Sequence, residues 1–463
     1  MIKNSQLIGL FAALTKEELR ELSKWLDSPY HNQRADVVLL FQYLKKHLHN
    51  EHKLLPNIIW ENIAPNVAYD NKLLRYTMSF LLQQLLDFLA YRQWARDPLA
   101  QNLALVKSLR QHRTNKHFYK YFESASEQLE NQTLRDAAYY YHSYHLNYEK
   151  YEYEISQNRN TAQEFTKFSG QLTLYFVISL LKQRCAVFSH KAMSAAIDKS
   201  DIPDEMLEAL SAKYMQTSPV VFLYFSIYNL LKSFDEKVYA DVKSNLPLQL
   251  KFFPANEQRD LILLTINFCI RLWNSGKPHF LKEAVDWYQI GLDSKALFEN
   301  GVLSRFTFKN VIVAAIVMQD FVKAEHFVQI YNQFLEDKYR ESTVNYCLAL
   351  IYFRQSEYTK AMKLLQKADF DDILHNLDAR RMLLRIYYDL DEMDALLSHI
   401  DSFKIFLKRQ KNIGYHGVNY LNLINYTSKI IKTNGNKKSL EKIKTDIMNE
   451  KNVAEKEWLL EIC

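Results

Sequence analysis

A chain of 463 residues with only 8 glycines has few places to reverse tightly. Ordinary usage of roughly 7% would supply about four times as many. Hairpin turns, phosphate-cradling loops and nucleotide-binding elbows depend on glycine for positive φ or for close approach to a ligand. Proline adds only 9 further breakers, while 30 tyrosines and 27 phenylalanines supply bulk rather than turns. Such text, with apolar residues recurring at helical spacing, reads as helix after helix. The expected fold is all-α, an α-solenoid of antiparallel helix pairs with roughly eighteen to twenty helices of ordinary length.

Composition narrows the class. With 48% hydrophobic and 24% charged residues the chain is globular rather than disordered. A net charge of +6 is compatible with an acidic partner without demanding one. Cys185, Cys269, Cys347 and Cys463 form no C-x-x-C pair, and three lie in apolar helical text. They are expected to be free thiols in a reducing cytoplasm, with no disulfide framework and no zinc site. Lys3 followed by Leu7 to Leu14 imitates a signal peptide, but Thr15-Lys16-Glu17-Glu18 follows at once and reads as a capping box opening an amphipathic helix. The longest apolar run, Pro219 to Leu231, has 13 residues. That is short of the roughly 18 a membrane span needs, so a buried helix and no span are expected.

Ala137, Tyr141, Tyr144, Tyr148, Tyr151 and Ile155 alternate spacings of 4 and 3, one stripe along a helix. It reads as packing against neighbouring helices with hydroxyls at the edge, or else as a dimer seam. Ser28-Pro29, Asp97-Pro98 and Ser218-Pro219 mark helix boundaries, and no proline follows Pro278. Asp320-Phe321-Val322-Lys323-Ala324 recurs as Glu357-Tyr358-Thr359-Lys360-Ala361 and, more loosely, as Glu392-Met393-Asp394-Ala395-Leu396, at offsets of 37 and 35 residues. A period of that size means helix-turn-helix units that stack to bury their apolar faces.

Leu348-Ala349, Tyr352, Tyr358, Ala361, Leu365 and Ala368 resemble a tetratricopeptide repeat in order and spacing. Asn345 stands where that family favours tryptophan, Ala349 replaces the usual glycine, and Ile373 sits where a terminal proline is common. Ala349 and Ala361 are small where two helices would cross; Tyr352 and Leu365 fill the space between them. The run Glu21 to Asn32, with Trp25 and Ser28-Pro29-Tyr30, resembles the start of a group of uncharacterised bacterial all-helical proteins. There a short helix ends in a Ser-Pro-Tyr turn before a second helix, here Val37 to Phe41; His31 departs from the expected aromatic. That resemblance brings no activity with it. The organisation expected is an N-terminal helical module over 1–95, irregular helical pairs over 96–300, and tetratricopeptide-like repeats with capping helices over 301–463, Asn434-Gly435-Asn436 turning into a polar cap from Lys437 to Glu461.

No catalytic pattern stands out. His142/His145 and His47/His49/His52 lack a further ligand at recognisable spacing. There is no G-x-S-x-G, no glycine-rich loop and no Walker lysine. Asp371-Asp372 and Glu152/Glu154 read as helix-end and solvated carboxylates. Lys107, Arg110, Arg113, Lys116 and Lys120, with His112 and His117 and with Phe118, Tyr119, Tyr121 and Phe122 interleaved, could hold phosphates and stack bases, or be a charged outer face over a buried aromatic one. The tetratricopeptide resemblance implies a groove lined by the first helix of each unit: Lys309 and Val313, then Tyr346, Leu350 and Phe353, then Arg381, Arg385 and Tyr388. That is a seat for a peptide with apolar anchors and a carboxylate, or else side chains facing another helix of the same chain. The function expected is a non-catalytic scaffold without cofactor that binds a protein or peptide partner; the alternative is a nucleic-acid-associated or regulatory protein using residues 107–122.

Overall fold

Helix boundaries fall where capping chemistry puts them. The computed structural model describes residues 5–158, 165–193, 201–367, 373–410, 414–433 and 435–463. Thr15 caps α2 (Lys16–Asp27) in a reciprocal box with Glu18, the Glu18 N–H donating to the Thr15 hydroxyl and the Thr15 N–H to the Glu18 carboxylate. Asp97 caps α6 (Pro98–Gln111) and Ser218 caps α11 (Pro219–Ser233), each with proline in the first turn, where its missing N–H costs nothing. Twenty-three α-helices occur among the described residues. The excess over the sequence expectation comes from short pieces such as α1 (Gln6–Ala13), α4 (Pro56–Ile63) and α23 (Lys456–Glu461), too brief to show a period.

Two compact units divide the chain, 1–176 and 177–463. In the first, α1, α2, α3 (Ala35–His47), α4 and α5 (Asn71–Ala95) share one core built on Phe11, Leu22, Leu40, Phe41, Trp60 and Leu81. Next come α6, α7 (Asn115–Glu130) and α8 (Ala137–Gln157), packed on one another around Val106, Phe118 and Tyr153. The tyrosine stripe of α8 is only half covered, with Tyr144 and Tyr151 against Phe168; the deeply buried face is Ser143, Leu146, Glu149 and Tyr153.

In the second unit consecutive helices pack in twos: α11 with α12 (Glu236–Gln249), α13 (Ala255–Asn274) with α14 (Phe280–Asp293), α15 (Arg305–Val317) with α16 (Phe321–Tyr331), α17 (Asp337–Arg354) with α18 (Tyr358–Lys367), and α19 (Ile373–Asp389) with α20 (Met393–Arg409). Helices α15, α17 and α19 also pack in sequence, then α21 (Tyr415–Lys432), α22 (Lys437–Asn449) and α23 follow. Ala349 and Ala361 are fully buried on α17 and α18. Ala368, Asp371, Asp372 and Asn434 lie outside the described residues.

The three repeated segments share one turn. Gln319, Ser356 and Asp391 all have φ near 60° (61°, 60° and 57°). The next N–H in each reaches back into the preceding helix: Asp320 to the Ala315 carbonyl at 2.9 Å, Glu357 to Tyr352 at 2.8 Å, and Glu392 to Tyr387 at 2.9 Å. This is a Schellman end with Gln, Ser and Asp where glycine is usual. Scarcity of glycine therefore has not removed positive φ, as the composition suggested: nine non-glycine residues among those described adopt it. A helix end fastened by two backbone hydrogen bonds outweighs a left-handed cost of roughly 1–2 kcal/mol. Asn300-Gly301, a type of hairpin signal overlooked in the sequence, turns a two-residue antiparallel ladder between β1 (Phe298–Glu299) and β2 (Val302–Leu303).

Tyrosine abundance has a structural use. Tyr224 donates to Glu257 at 2.6 Å, Tyr239 to Glu283 at 2.6 Å and Tyr358 to Asp389 at 2.8 Å, each from one helix to another. The ring fills the core and the hydroxyl satisfies a carboxylate at its edge. Among the described residues, Phe168–His190 of α9 (Phe165–Met193) is long and apolar enough to cross a membrane by length and composition, with mean hydropathy 1.2. Its later half is packed: Val177, Ile178 and Leu181 are buried, and Lys182 pairs with Glu257 at 2.6 Å.

Candidate functional site

The recurring turn sets α15, α17 and α19 side by side, and spacings of four and three place Tyr346, Leu350 and Phe353 on one face of α17 and Arg381, Arg385 and Tyr388 on one face of α19. These residues form a connected row. Lys309 Nζ lies 5.1 Å from the Tyr346 ring centre. The Tyr346 hydroxyl donates to Asp378, and Arg381 Nε donates to the other oxygen of Asp378 at 2.7 Å. The guanidinium groups of Arg381 and Arg385 stand 5.6 and 5.4 Å from the Phe353 ring centre. Tyr346, Leu350, Phe353 and Arg381 are buried; Lys309, Val313, Arg385 and Tyr388 are half-buried.

The row is covered by the chain itself. Glu455, just before α23, receives hydrogen bonds from Arg381 and from Arg385, the latter at 3.1 Å. Trp458, one turn on, packs edge-on against Tyr388 with ring centres 5.3 Å apart and donates its indole N–H to Asp389 at 3.2 Å. Trp458 and Leu459 belong to the core shared with Leu384, Phe403 and Leu423. Burial alone would raise the Asp378 carboxyl, yet the Arg381 charge and the hydrogen bonds from Arg381 and Tyr346 hold it below the usual range. Burial opposes the Arg381 charge too, but Asp378 and Glu455 outweigh it and raise the pKa. The sequence reading missed Asp378, Glu455 and Trp458. Asp378 was visible as the residue three before Arg381; Glu455 is 74 positions away and had no local signal.

Elsewhere the expected cations divide. Arg110 Nε donates to the buried Glu149 at 2.6 Å and its Nη1 lies 3.9 Å from Glu152. Lys107, Arg113, Lys116 and Lys120 are exposed, as are Tyr119 and Tyr121, whereas Phe118 and Phe122 are buried under them. His142 is pushed down by burial, against the pull of Asp97 at 3.7 Å. Cys185, Cys269 and Cys347 are buried, and burial pushes each thiol up to about 12, far from a reactive thiolate. Among the described residues no group of three or more His, Cys, Asp or Glu is placed to hold a metal ion.

A second surface was not foreseen. Phe188 of α9, Leu231 and Phe234 at the end of α11, and Phe268 of α13 floor an open groove of about 480 Å³. Asn267, Arg271 and Asn274 of α13 form its polar rim. No family model, curated protein or solved structure matches this chain.

Proposed function

We propose that this chain is a non-catalytic helical-repeat scaffold, its second unit stacked as antiparallel tetratricopeptide-like pairs in a right-handed solenoid, that takes up a peptide segment of a protein partner. The observation that carries the reading is the row Lys309–Tyr346–Asp378–Arg381–Arg385 with a carboxylate and an indole, Glu455 and Trp458, seated on it. First helices that hold an acidic residue three positions before an aromatic one have the chemistry to hold a partner segment of the same kind. Buried alanines at Ala349 and Ala361 support close helix crossings, and the identical turns after α15, α17 and α19 support a regular stack.

The test is a labelled peptide of residues 452–463, with serine for Cys463, titrated into the full chain and into Glu455→Gln/Trp458→Ala. A tethered segment competes at an effective concentration of about millimolar, so the unaltered chain should bind the peptide at least about tenfold more weakly than the variant. A variant that keeps its helical circular dichroism yet takes up no peptide removes the basis of the reading.

A second reading rests on the exposed Lys107, Arg113, Lys116 and Lys120 beside the exposed rings of Tyr119 and Tyr121. In it the first unit associates with nucleic acid. Gel-shift affinity should then fall steeply from low to moderate salt, as counterion release requires; a flat response rejects it.

A further inference from the structure

The groove over α13 joins three features that ordinary packing does not require. Phe234 closes α11 at φ 55° and ψ 33°, its N–H bonded to the Leu230 carbonyl at 3.1 Å. In the three repeat turns the left-handed residue is Gln319, Ser356 or Asp391. A phenylalanine there is an outlier, because its bulk crowds the backbone. The conformation brings the ring next to Phe268, centres 5.9 Å apart and nearly parallel, and beneath Arg271, whose guanidinium carbon is 4.0 Å from the Phe234 ring centre. Strained backbone persists where the surroundings need the side chain it positions. Here it positions a platform for a guanidinium.

Arg271 is a cation with no counter-charge among the described residues. Among the described residues no carboxylate pairs with it, whereas Arg381 and Arg385, also set over a phenylalanine ring, share Glu455. Its guanidinium carbon stands 4.0 Å over the ring, and its N–H groups suit a planar, doubly accepting anion such as a carboxylate. Asn267 and Asn274 flank it on the same face of α13, and both are exposed. Seven helical residues rise about 10.5 Å, which matches about three residues of an extended chain at about 3.3 Å each. Each carboxamide offers one donor group and one acceptor, the complement of a peptide unit. The floor beside them, Phe188, Leu231, Phe234 and Phe268, takes an apolar side chain.

We propose that this groove binds an extended segment of a partner protein bearing one acidic side chain near one apolar anchor, with Arg271 taking the carboxylate, Asn267 and Asn274 the backbone, and the phenylalanine floor the anchor. The inference rests on the scaffold reading only in taking the ligand to be a polypeptide. It uses a surface separate from the row covered by Glu455 and Trp458.

The full chain is passed over immobilised octapeptides of serine and glycine that carry one phenylalanine and one aspartate at separations of one to four residues. Matched copies carry asparagine for aspartate, lysine for aspartate, or alanine for phenylalanine. At one separation the aspartate peptide should be retained at least about tenfold better than its asparagine and alanine copies, the factor expected of one charge-assisted pair or one buried anchor. Arg271→Glu should move the preference to the lysine copies. Asn267→Ala/Asn274→Ala should weaken every retained peptide alike. Should Arg271→Glu lose its helical circular dichroism, Arg271→Gln replaces it, and retention unchanged in that variant overturns the inference. Aspartate preference that survives both Arg271 variants also overturns it while leaving the scaffold reading intact. Retention of no peptide overturns the groove assignment alone, because the 452–463 titration reports on the scaffold reading at the other surface.

Discussion

Two aromatic-backed arginine sites within one unit have opposite fates. Arg381 and Arg385 sit over Phe353 and receive Glu455 from the same chain; Arg271 sits over Phe234 and receives nothing from the described residues. Arg381 is 7% exposed, and its carboxylate partners compensate its desolvation. Arg271 stays solvated and open. The difference teaches that ring and guanidinium together only prepare a seat. Whether the seat becomes core or surface depends on whether the chain supplies the anion.

Removing each arginine's charge is the sharpest way to break that comparison. Arg381→Met takes the paired cation from Asp378, leaves Glu455 with Arg385 alone, and should lower the stability of the second unit by about 3–5 kcal/mol, read from its denaturant midpoint. Arg271→Met should stay within about 0.5 kcal/mol of the unaltered chain. Equal losses would mean that the two sites do not differ as described. Ala361→Phe, at a buried position of α18 where it packs on α17, should cost about 1–3 kcal/mol by overpacking; unchanged melting would mean the helices do not meet there.

Titration separates the two kinds of buried charge. Burial, reinforced by the Arg380 charge, holds His399 below its ordinary value despite its 2.8 Å contact with the Arg380 carbonyl. The unfolded chain therefore takes up that proton first. The contribution is complete above about pH 6.5 and declines below it, by at most about 1.4 kcal/mol per pH unit. Asp378, also lowered, should keep its contribution until still lower pH. Denaturant midpoints of the second unit from pH 7.5 to 5 should fall for the unaltered chain and flatten for His399→Gln, while His142, also lowered, acts in the first unit. A slope unaffected by that substitution assigns the effect to other groups. One change should be a gain: Ser356→Gly should add about 0.5–1 kcal/mol, the left-handed cost less the extra backbone entropy of glycine. Phe234→Gly, at the left-handed helix end beside the open groove, also relieves left-handed strain but loses the platform under Arg271.

Local chemistry was the legible part. Thr15 with Glu18, Asp97 before Pro98 and Ser218 before Pro219 announce helix starts because the groups that satisfy the orphan N–H donors lie within three residues. The offsets of 37 and 35 residues located three turns of one geometry, and Ala349 and Ala361 marked fully buried positions. Long-range pairing was not legible. Spacing put Arg381 and Arg385 on one helix face but carried no information about the carboxylate 74 residues later that neutralises Arg381. Phe234 gave no warning either, since no local rule selects phenylalanine for a left-handed helix end.

Acting alone, the amino-acid order made this chain helical and punctuated it, because helix hydrogen bonds, caps and turns close over three to six residues and depend on nearby side chains. Only the tertiary structure decided which tyrosines met which carboxylates, that Glu455 and Trp458 cover one arginine row, and that the groove beside Arg271 stays open. Those outcomes depend on which distant surfaces exclude water together, and a buried charge is tolerated only where another part of the chain brings its counterpart.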